Sequence, residues 1–456
     1  MKKFILLSTL FAGHAMFIEQ ACAEDLVDVL NTALEKDPQL RAAKYNQEAT
    51  LENHKQAMAN FLPQISGNWS KGQSNSITTF DVGPDNDPPK SESDGWGLSL
   101  NQSIYDHANF IRLKQADLQE AKGYANYRSA VQDFLIRTAQ SYFDVLTNID
   151  AVKFAESEEK AIQRQLDQAE QRYEVGLAAI TDVHEARAQY DGSRASVINA
   201  KNLLDDTKEA LYEITLNYYD NLSVLPDEFN KFELSNNDVR YWEKLALENN
   251  PTLQVAIIDA DIAEKALNLE QAGHYPTVGL SASLRESNSA GGSFQDFDSN
   301  NNPIVRNIPD STTESNSLTL TVNVPIFSGG RTSSLSRQAK LRYRAAMEDM
   351  DRITFSTVRS MRNSLHNVEA GWSSVQARQL AVVSAKSAEE ATAAGFEVGT
   401  RNIVEVLNSQ RSLYQAQRDY SRAKHDYLMN VLNLKRAAGI LEQTDVVDIN
   451  SLLTVQ

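Results

Sequence analysis

Cysteine is almost absent: Cys22 is the only one in 456 residues. Beyond it the chain has neither a disulfide nor a thiol nucleophile. Long apolar runs are missing as well. No segment after the N-terminal leader offers the roughly 18 consecutive apolar residues of a transmembrane helix. A membrane span would have to be made of strands. Bases are outnumbered, with 44 Lys and Arg against 61 Asp and Glu and a formal net charge of −17. That balance excludes a nucleic-acid partner held by its phosphates. Proline is unevenly spread: none occurs from residue 90 to 225, and none after Pro325. The 7 histidines are scattered, and no two stand at the i, i+4 spacing of a helical metal site. No G-x-S-x-G is present, and Gly329-Gly330 lacks the Gly-Lys-Ser/Thr of a phosphate loop. That pair reads as a turn from strand to helix. No catalytic pair of acids can be selected. The expectation is a protein without enzyme activity, metal or cofactor.

The N-terminus reads as a secretory signal peptide, residues 1–23. Lys2 and Lys3 precede an apolar stretch from Phe4 to Phe17, and Ala21-Cys22-Ala23 gives an A-x-A site before Glu24. A lipid-anchored Cys22 is the alternative. It wants an apolar residue three positions earlier, where Glu19 stands.

The rest of the chain carries one plan twice. Ala33-Leu34-Glu35-Lys36-Asp37-Pro38-Gln39-Leu40 returns as Ala246-Leu247-Glu248-Asn249-Asn250-Pro251-Thr252-Leu253, and Pro63 and Pro276 keep the same offset. At a slightly longer offset, Tyr173-Glu174-Val175-Gly176-Leu177 meets Phe396-Glu397-Val398-Gly399-Thr400. The expected organisation is a first repeat at 24–215, a linker at 216–250, a second repeat at 251–440 and a C-terminal segment at 441–456. Asp37-Pro38 and Asn250-Pro251 read as N-caps with proline at the first helical position. In the proline-free stretches apolar residues recur every three or four positions, as in Val131, Leu135, Tyr142, Val145, Ile149 and Val152. That narrow stripe is helical and coiled-coil-like. Residues 107–174 and 331–397 read as nearly unbroken helices, each on the order of 100 Å long at 1.5 Å per residue. Each ends at a Val-Gly tip and turns back as a hairpin.

Between the helices the period changes to two. Leu318, Leu320, Val322, Val324 and Ile326 alternate with polar residues or proline. Val278, Leu280, Ala282 and Leu284 do likewise, as do Trp96, Leu98 and Leu100, and more weakly Ile65, Gly67 and Trp69. Phe61, Trp96, Tyr105, Tyr275 and Phe327 bracket these strands, which suits a membrane interface. Two readings fit: a membrane barrel with its apolar face to lipid, or a soluble sandwich with one wet face. Residues 71–95 and 286–316, rich in Ser, Asn, Asp, Gly and Pro, read as long polar loops and favour the barrel. Four strands cannot close a barrel, and an open sheet in lipid leaves its edges unsatisfied. The chain must oligomerise if it spans; two copies would give eight strands, three would give twelve.

These residues resemble the TolC family of outer-membrane efflux and secretion channels. The resemblance runs from about Asp25 to Leu441. It is strongest at Arg164-Gln165-Leu166-Asp167-Gln168, Gly176-Leu177-Ala178-Ala179-Ile180-Thr181-Asp182-Val183, Ala186-Arg187-Ala188-Gln189-Tyr190-Asp191 and 398–407. It is nearer to the family's type member than to its lipidated members. The resemblance implies an α+β membrane protein: a trimeric twelve-strand β-barrel, four strands per chain, continued by a twelve-helix periplasmic α-barrel with a mixed equatorial region. It implies an outer-membrane location reaching into the periplasm. It also implies passive export of drugs or proteins, with a periplasmic adaptor and an inner-membrane transporter as partners. Efflux and type I secretion both use such channels. The rival reading is a periplasmic coiled-coil scaffold or adaptor without a pore.

The same resemblance assigns sites. Val175, Gly176, Leu177, Val398, Gly399 and Thr400 correspond to tips that dock the adaptor; the plain alternative is a helix-terminating turn. Gln165, Thr181, Asp182 and Arg401 correspond to a hydrogen-bonded gate latch, and Glu405 to one acid of a carboxylate ring that would favour cations. The plain alternative is a solvated acid at a helix start. Three positions depart from the family pattern. Phe396 replaces a Tyr and leaves no hydroxyl for Asp182, Ala393 replaces a Glu, and Asn408 replaces the second ring Asp. These changes imply a weaker latch and one carboxylate per chain in the ring.

Overall fold

A computed structural model describes residues 24–74, 91–297 and 302–454. The expected signal peptide, and Cys22 with it, lie outside these residues. In chain order the elements are α1 (Leu26–Lys36), α2 (Pro38–Ala59), β1 (Gln64–Ser74), β2 (Ser91–Asp106), α3 (His107–Glu174), α4 (Ile180–Thr215), α5 (Val239–Asn249), α6 (Pro251–Ala272), β3 (Thr277–Ser289), β4 (Gly292–Phe297), β5 (Pro303–Ile308), β6 (Ser311–Asn323), α7 (Arg331–Glu397), α8 (Ile403–Ala437) and α9 (Gln443–Asn450). Both long helices fall where their proline-free periodicity places them. Asp37 and Asn250 cap as expected: the Asp37 carboxylate accepts from Leu40 N–H at 2.8 Å and the Asn250 carbonyl from Leu253 N–H at 3.1 Å.

The chain divides into two compact units. One comprises residues 42–130 and 250–358. Its antiparallel sheet has the order β1-β2-β3-β6, and β4 and β5 form a separate hairpin. Register explains the alternation. Ile65, Leu100, Ala282 and Leu318 line up across the sheet on one face, and Ser66, Ser99, Ser283 and Ser317 on the other. The serines bond in pairs at 2.8 Å, Ser66 with Ser99 and Ser283 with Ser317. The apolar face is not a core: Ile65 is 66 %, Leu318 73 % and Leu320 64 % exposed. A bulge between Ser103 and Tyr105 in β2 inserts Ile104 and reverses the alternation. Tyr105 thereby joins Val278 and Val322 on the apolar face, at its edge.

Two expectations need correction. The polar stretches 71–95 and 286–316 are partly strand: β1 runs to Ser74, β2 starts at Ser91, β3 runs to Ser289 and β6 starts at Ser311, with β4 and β5 in between. At the ends of β1, β2, β3 and β6 polar residues on both faces erase the period-two signal while backbone pairing continues; residues 75–90 and 298–301 lie outside the described residues. At the other end β6 stops at Asn323, so Val324 and Ile326 are not strand. Pro325 has no N–H to give the ladder.

The other unit comprises residues 24–41, 131–249 and 359–454. Its core holds Tyr142, Phe143, Leu26, Leu30, Trp242, Met361, Leu365, Tyr427 and Leu428, all fully buried. Residues 216–238 are mostly irregular. They are held by bridges Glu24–Leu222 and Val224–Thr454, and by Tyr142 Oη donating to the Ser223 carbonyl at 2.7 Å. His425 is buried against Phe143, ring centroids 5.5 Å apart. The Thr147 hydroxyl donates to the Phe143 carbonyl at 2.7 Å, so its oxygen accepts from His425 Nδ1–H at 2.8 Å.

Burial, and then the charge of Lys424, push His425 down to about 3. An unfolded histidine titrates near 6.5. Between those values the unfolded chain binds the extra proton, so stability falls as pH drops from about 6.5 toward 3. One such group contributes a slope of at most about 1.4 kcal/mol per pH unit. Melting curves between pH 6.5 and about 4.5 should therefore fall more steeply for wild type than for His425→Gln. Parallel curves would contradict this.

Candidate functional site at the hairpin ends

Both helical hairpins turn by the same device. Gly176 follows α3 at φ 77° and Gly399 follows α7 at φ 79°. That left-handed backbone favours glycine. Gly176 N–H donates to the Tyr173 carbonyl at 2.9 Å and Leu177 N–H to that of Arg172 at 2.7 Å. Gly399 N–H donates to Phe396 at 3.1 Å and Thr400 N–H to Gly395 at 2.9 Å. Each pair is a Schellman ending, which satisfies the last carbonyls of the helix. The turn requires no apolar side chains, yet Val175, Leu177 and Val398 are 69 %, 72 % and 75 % exposed.

The return helices start differently. Asn402 caps α8, accepting from Glu405 N–H and donating to the Glu405 carboxylate, both at 2.9 Å. The second Glu405 oxygen meets Arg401 Nη1 at 2.7 Å. Glu405 is thus engaged within its own helix start. Ala179 gives α4 no side-chain cap, and Asp182 lies in its first turn, where the helix dipole favours an acid.

Just inside the tips the helices meet. Ile162, Leu166 and Ala169 of α3, Val183 and Ala186 of α4, and Ile403 and Leu407 of α8 form one buried cluster, with Phe396 and Tyr190 against it. Arg172 lies over the Phe396 ring, 4.8 Å from its centroid. The Phe that departs from the family pattern therefore packs and carries a cation. The Gln165 side-chain oxygen is enclosed here without a hydrogen-bond partner. Thr181 and Asn408 are exposed.

Within one chain the expected latch is not assembled. Among the described residues Gln165, Thr181, Asp182 and Arg401 form no hydrogen bond with one another. The helices are joined by contacts that no motif signalled. Arg411 of α8 donates to the Gln189 side-chain oxygen of α4 and stands 4.0 Å from Glu158 of α3. Arg187 pairs with Glu170 at 2.6 Å. Burial raises the Glu158 carboxyl above its ordinary range, against the opposing pull of Arg411 and Arg418. A signal for Arg411 existed: it stands one turn beyond Leu407, on the stripe of Ile403.

Truncating Leu407, 3 % exposed, should cost about 2–5 kcal/mol locally. In Leu407→Ala, hydrogen exchange should speed up at 160–190 and 400–410 and stay unchanged around Tyr142 and Tyr427. Uniform loss of protection would show that the cluster is not a separate unit of stability.

The model of the outer membrane efflux protein family matches residues 29–215 and 242–440. The outer membrane protein TolC of Vibrio cholerae is 36 % identical over 438 residues, covering 95 % of this chain and 94 % of that protein. The alkaline protease secretion protein AprF of Pseudomonas aeruginosa is 27 % identical, covering 97 % and 90 %. Among solved structures, the Campylobacter jejuni CmeC outer membrane channel superposes with a TM-score of 0.74 at 16 % identity, covering 94 % of this chain and 89 % of that one. The chain belongs to the outer membrane efflux protein family.

Proposed function

We propose that this chain is one subunit of a homotrimeric outer-membrane channel that exports drugs or proteins. The observation that carries the reading is the sheet. It has four strands, an exposed apolar face, a serine-lined polar face, and two outer edges without partner strands among the described residues of one chain. In hydrocarbon those edges must be paired, and further copies of the same strands can pair them. Three copies give a twelve-strand barrel, and four long helices from each copy give a twelve-helix periplasmic tube. A pore-free coiled-coil scaffold has no use for an exposed apolar sheet face. The relatives include a protease secretion protein as well as TolC, so drug efflux and type I secretion both stay within the reading.

The tips are docking points for a periplasmic adaptor, which would recruit an energised inner-membrane transporter. Exposed Val175, Leu177 and Val398 supply the apolar contact. The gate lies at the same end, with Gln165, Thr181, Asp182, Phe396, Arg401, Glu405 and Asn408 around it. Charge decides what it favours. Among the gate residues themselves Glu405 is paired with Arg401, so Asp182 is the acid of this set without an ion pair among the described residues. Repeated around a symmetry axis, that ring concentrates cations and opposes anions.

Planar-bilayer recording tests both parts. Wild type should give small cation-selective currents. Asp182→Ala and Glu405→Ala each remove one negative charge per chain and should abolish the cation preference. Arg401→Ala should strengthen it. Acid variants with unchanged selectivity would remove these residues from the constriction, and a folded oligomer that never conducts would favour the scaffold.

A further inference from the structure

Directly above the apolar cluster lies a polar layer built on the same three helical stripes. On α3, Glu158 precedes Ile162 and Leu166 by one and two turns. On α4, Gln189 continues the line of Val183 and Ala186 at spacings of three. On α8, Arg411 continues that of Ile403 and Leu407 at spacings of four. The continuation of each buried stripe is thus a polar side chain, and the three meet. Arg411 Nη2 donates to Gln189 Oε1, and Arg411 Nε stands 4.0 Å from Glu158 Oε1. Gln189 is oriented for this: its Nε2 donates to Glu185 Oε1 at 3.3 Å, leaving Oε1 to accept. The Glu158 side chain is 15 % exposed, so it is sheltered from water and depends on a cation nearby. Gln410, beside Arg411, donates to Glu389 of α7 at 3.4 Å, which ties the layer to the second long helix.

An apolar cluster resists separation but does not fix registry, because its contacts are non-directional. A guanidinium engaged with two other helices does both. We propose that Arg411 is the intrasubunit clasp of the gate: it holds the α7–α8 hairpin against α3 and α4 in the closed channel, and opening requires its release from Gln189 and Glu158. The clasp rests on the channel reading. It differs from the latch expected at Arg401, which is engaged with Glu405 of its own helix. Arg411 is a positioning residue and need not touch cargo.

Bilayer recording of the purified oligomer separates the possibilities. Arg411→Ala loses a charge-assisted bond, and the open population should rise roughly tenfold. Gln189→Ala should raise it less, and the double variant should do no more than Arg411→Ala alone, since both remove the same bond. Arg411→Lys, which keeps the charge but loses the fork, should fall between wild type and Arg411→Ala. A helix-packing role alone would lower the melting temperature without raising conductance. Wild-type currents with Arg411→Ala indistinguishable from them, or additive effects in the double variant, would overturn the clasp and leave the channel intact. A folded wild-type oligomer that passes no current would overturn both.

Discussion

A backbone N–H or C=O left unpaired in hydrocarbon costs several kcal/mol, and a four-strand sheet has two rows of them. Everything membrane-related in this chain derives from that constraint. β1 and β6 form the outer edges of the sheet; each pairs on its inner side, with β2 and β3 respectively, and neither has a partner strand on its outward side among the described residues of one chain. The face that would be a core in a soluble sandwich is exposed, with Leu318 at 73 %. Lipid on that face and copies of the chain along the edges satisfy both requirements together. The bulge at Ser103–Tyr105 belongs to the same design. It places one aromatic residue on the apolar face where the strand gives way to α3.

The helical parts answer a different demand. α3 and α7 run for 68 and 67 residues without a proline. Helices of that length are stabilised by narrow apolar stripes against neighbours rather than by a globular core. The stripe ends in a compact cluster at the tips. There Schellman turns at Gly176 and Gly399 close the hairpins with little chain, leaving apolar side chains outside and a thin polar layer inside.

Much of this was legible in the sequence. Helix ends at 174 and 397 were marked by Val-Gly, since only glycine takes that backbone cheaply. Asp37-Pro38 and Asn250-Pro251 announced their caps through local chemistry alone. The strands were legible where one face is apolar and illegible where both are polar, so the outer ends of β1, β2, β3 and β6 read as loops. Pro325 marked the end of β6, but the apolar Val324 and Ile326 around it imitated a continuing strand. At the candidate site the turns and the acids were legible. The pairing of Arg401 with Glu405 rather than across helices was not. An i, i+4 ion pair and an interhelical one use the same residue types, and only geometry separates them. Arg411 was missed for a related reason: it continues the stripe of Ile403 and Leu407, but a base at that place reads as the solvated end of the stripe until its neighbours on the other helices are known.

In the membrane these four strands can be completed only by further copies of themselves. Native mass spectrometry of the detergent-extracted protein tests it most directly. A single species of three chains that persists on dilution in detergent is the expected result. A stable, folded monomer would contradict it, because its two sheet edges would then have survived in an apolar medium unpaired.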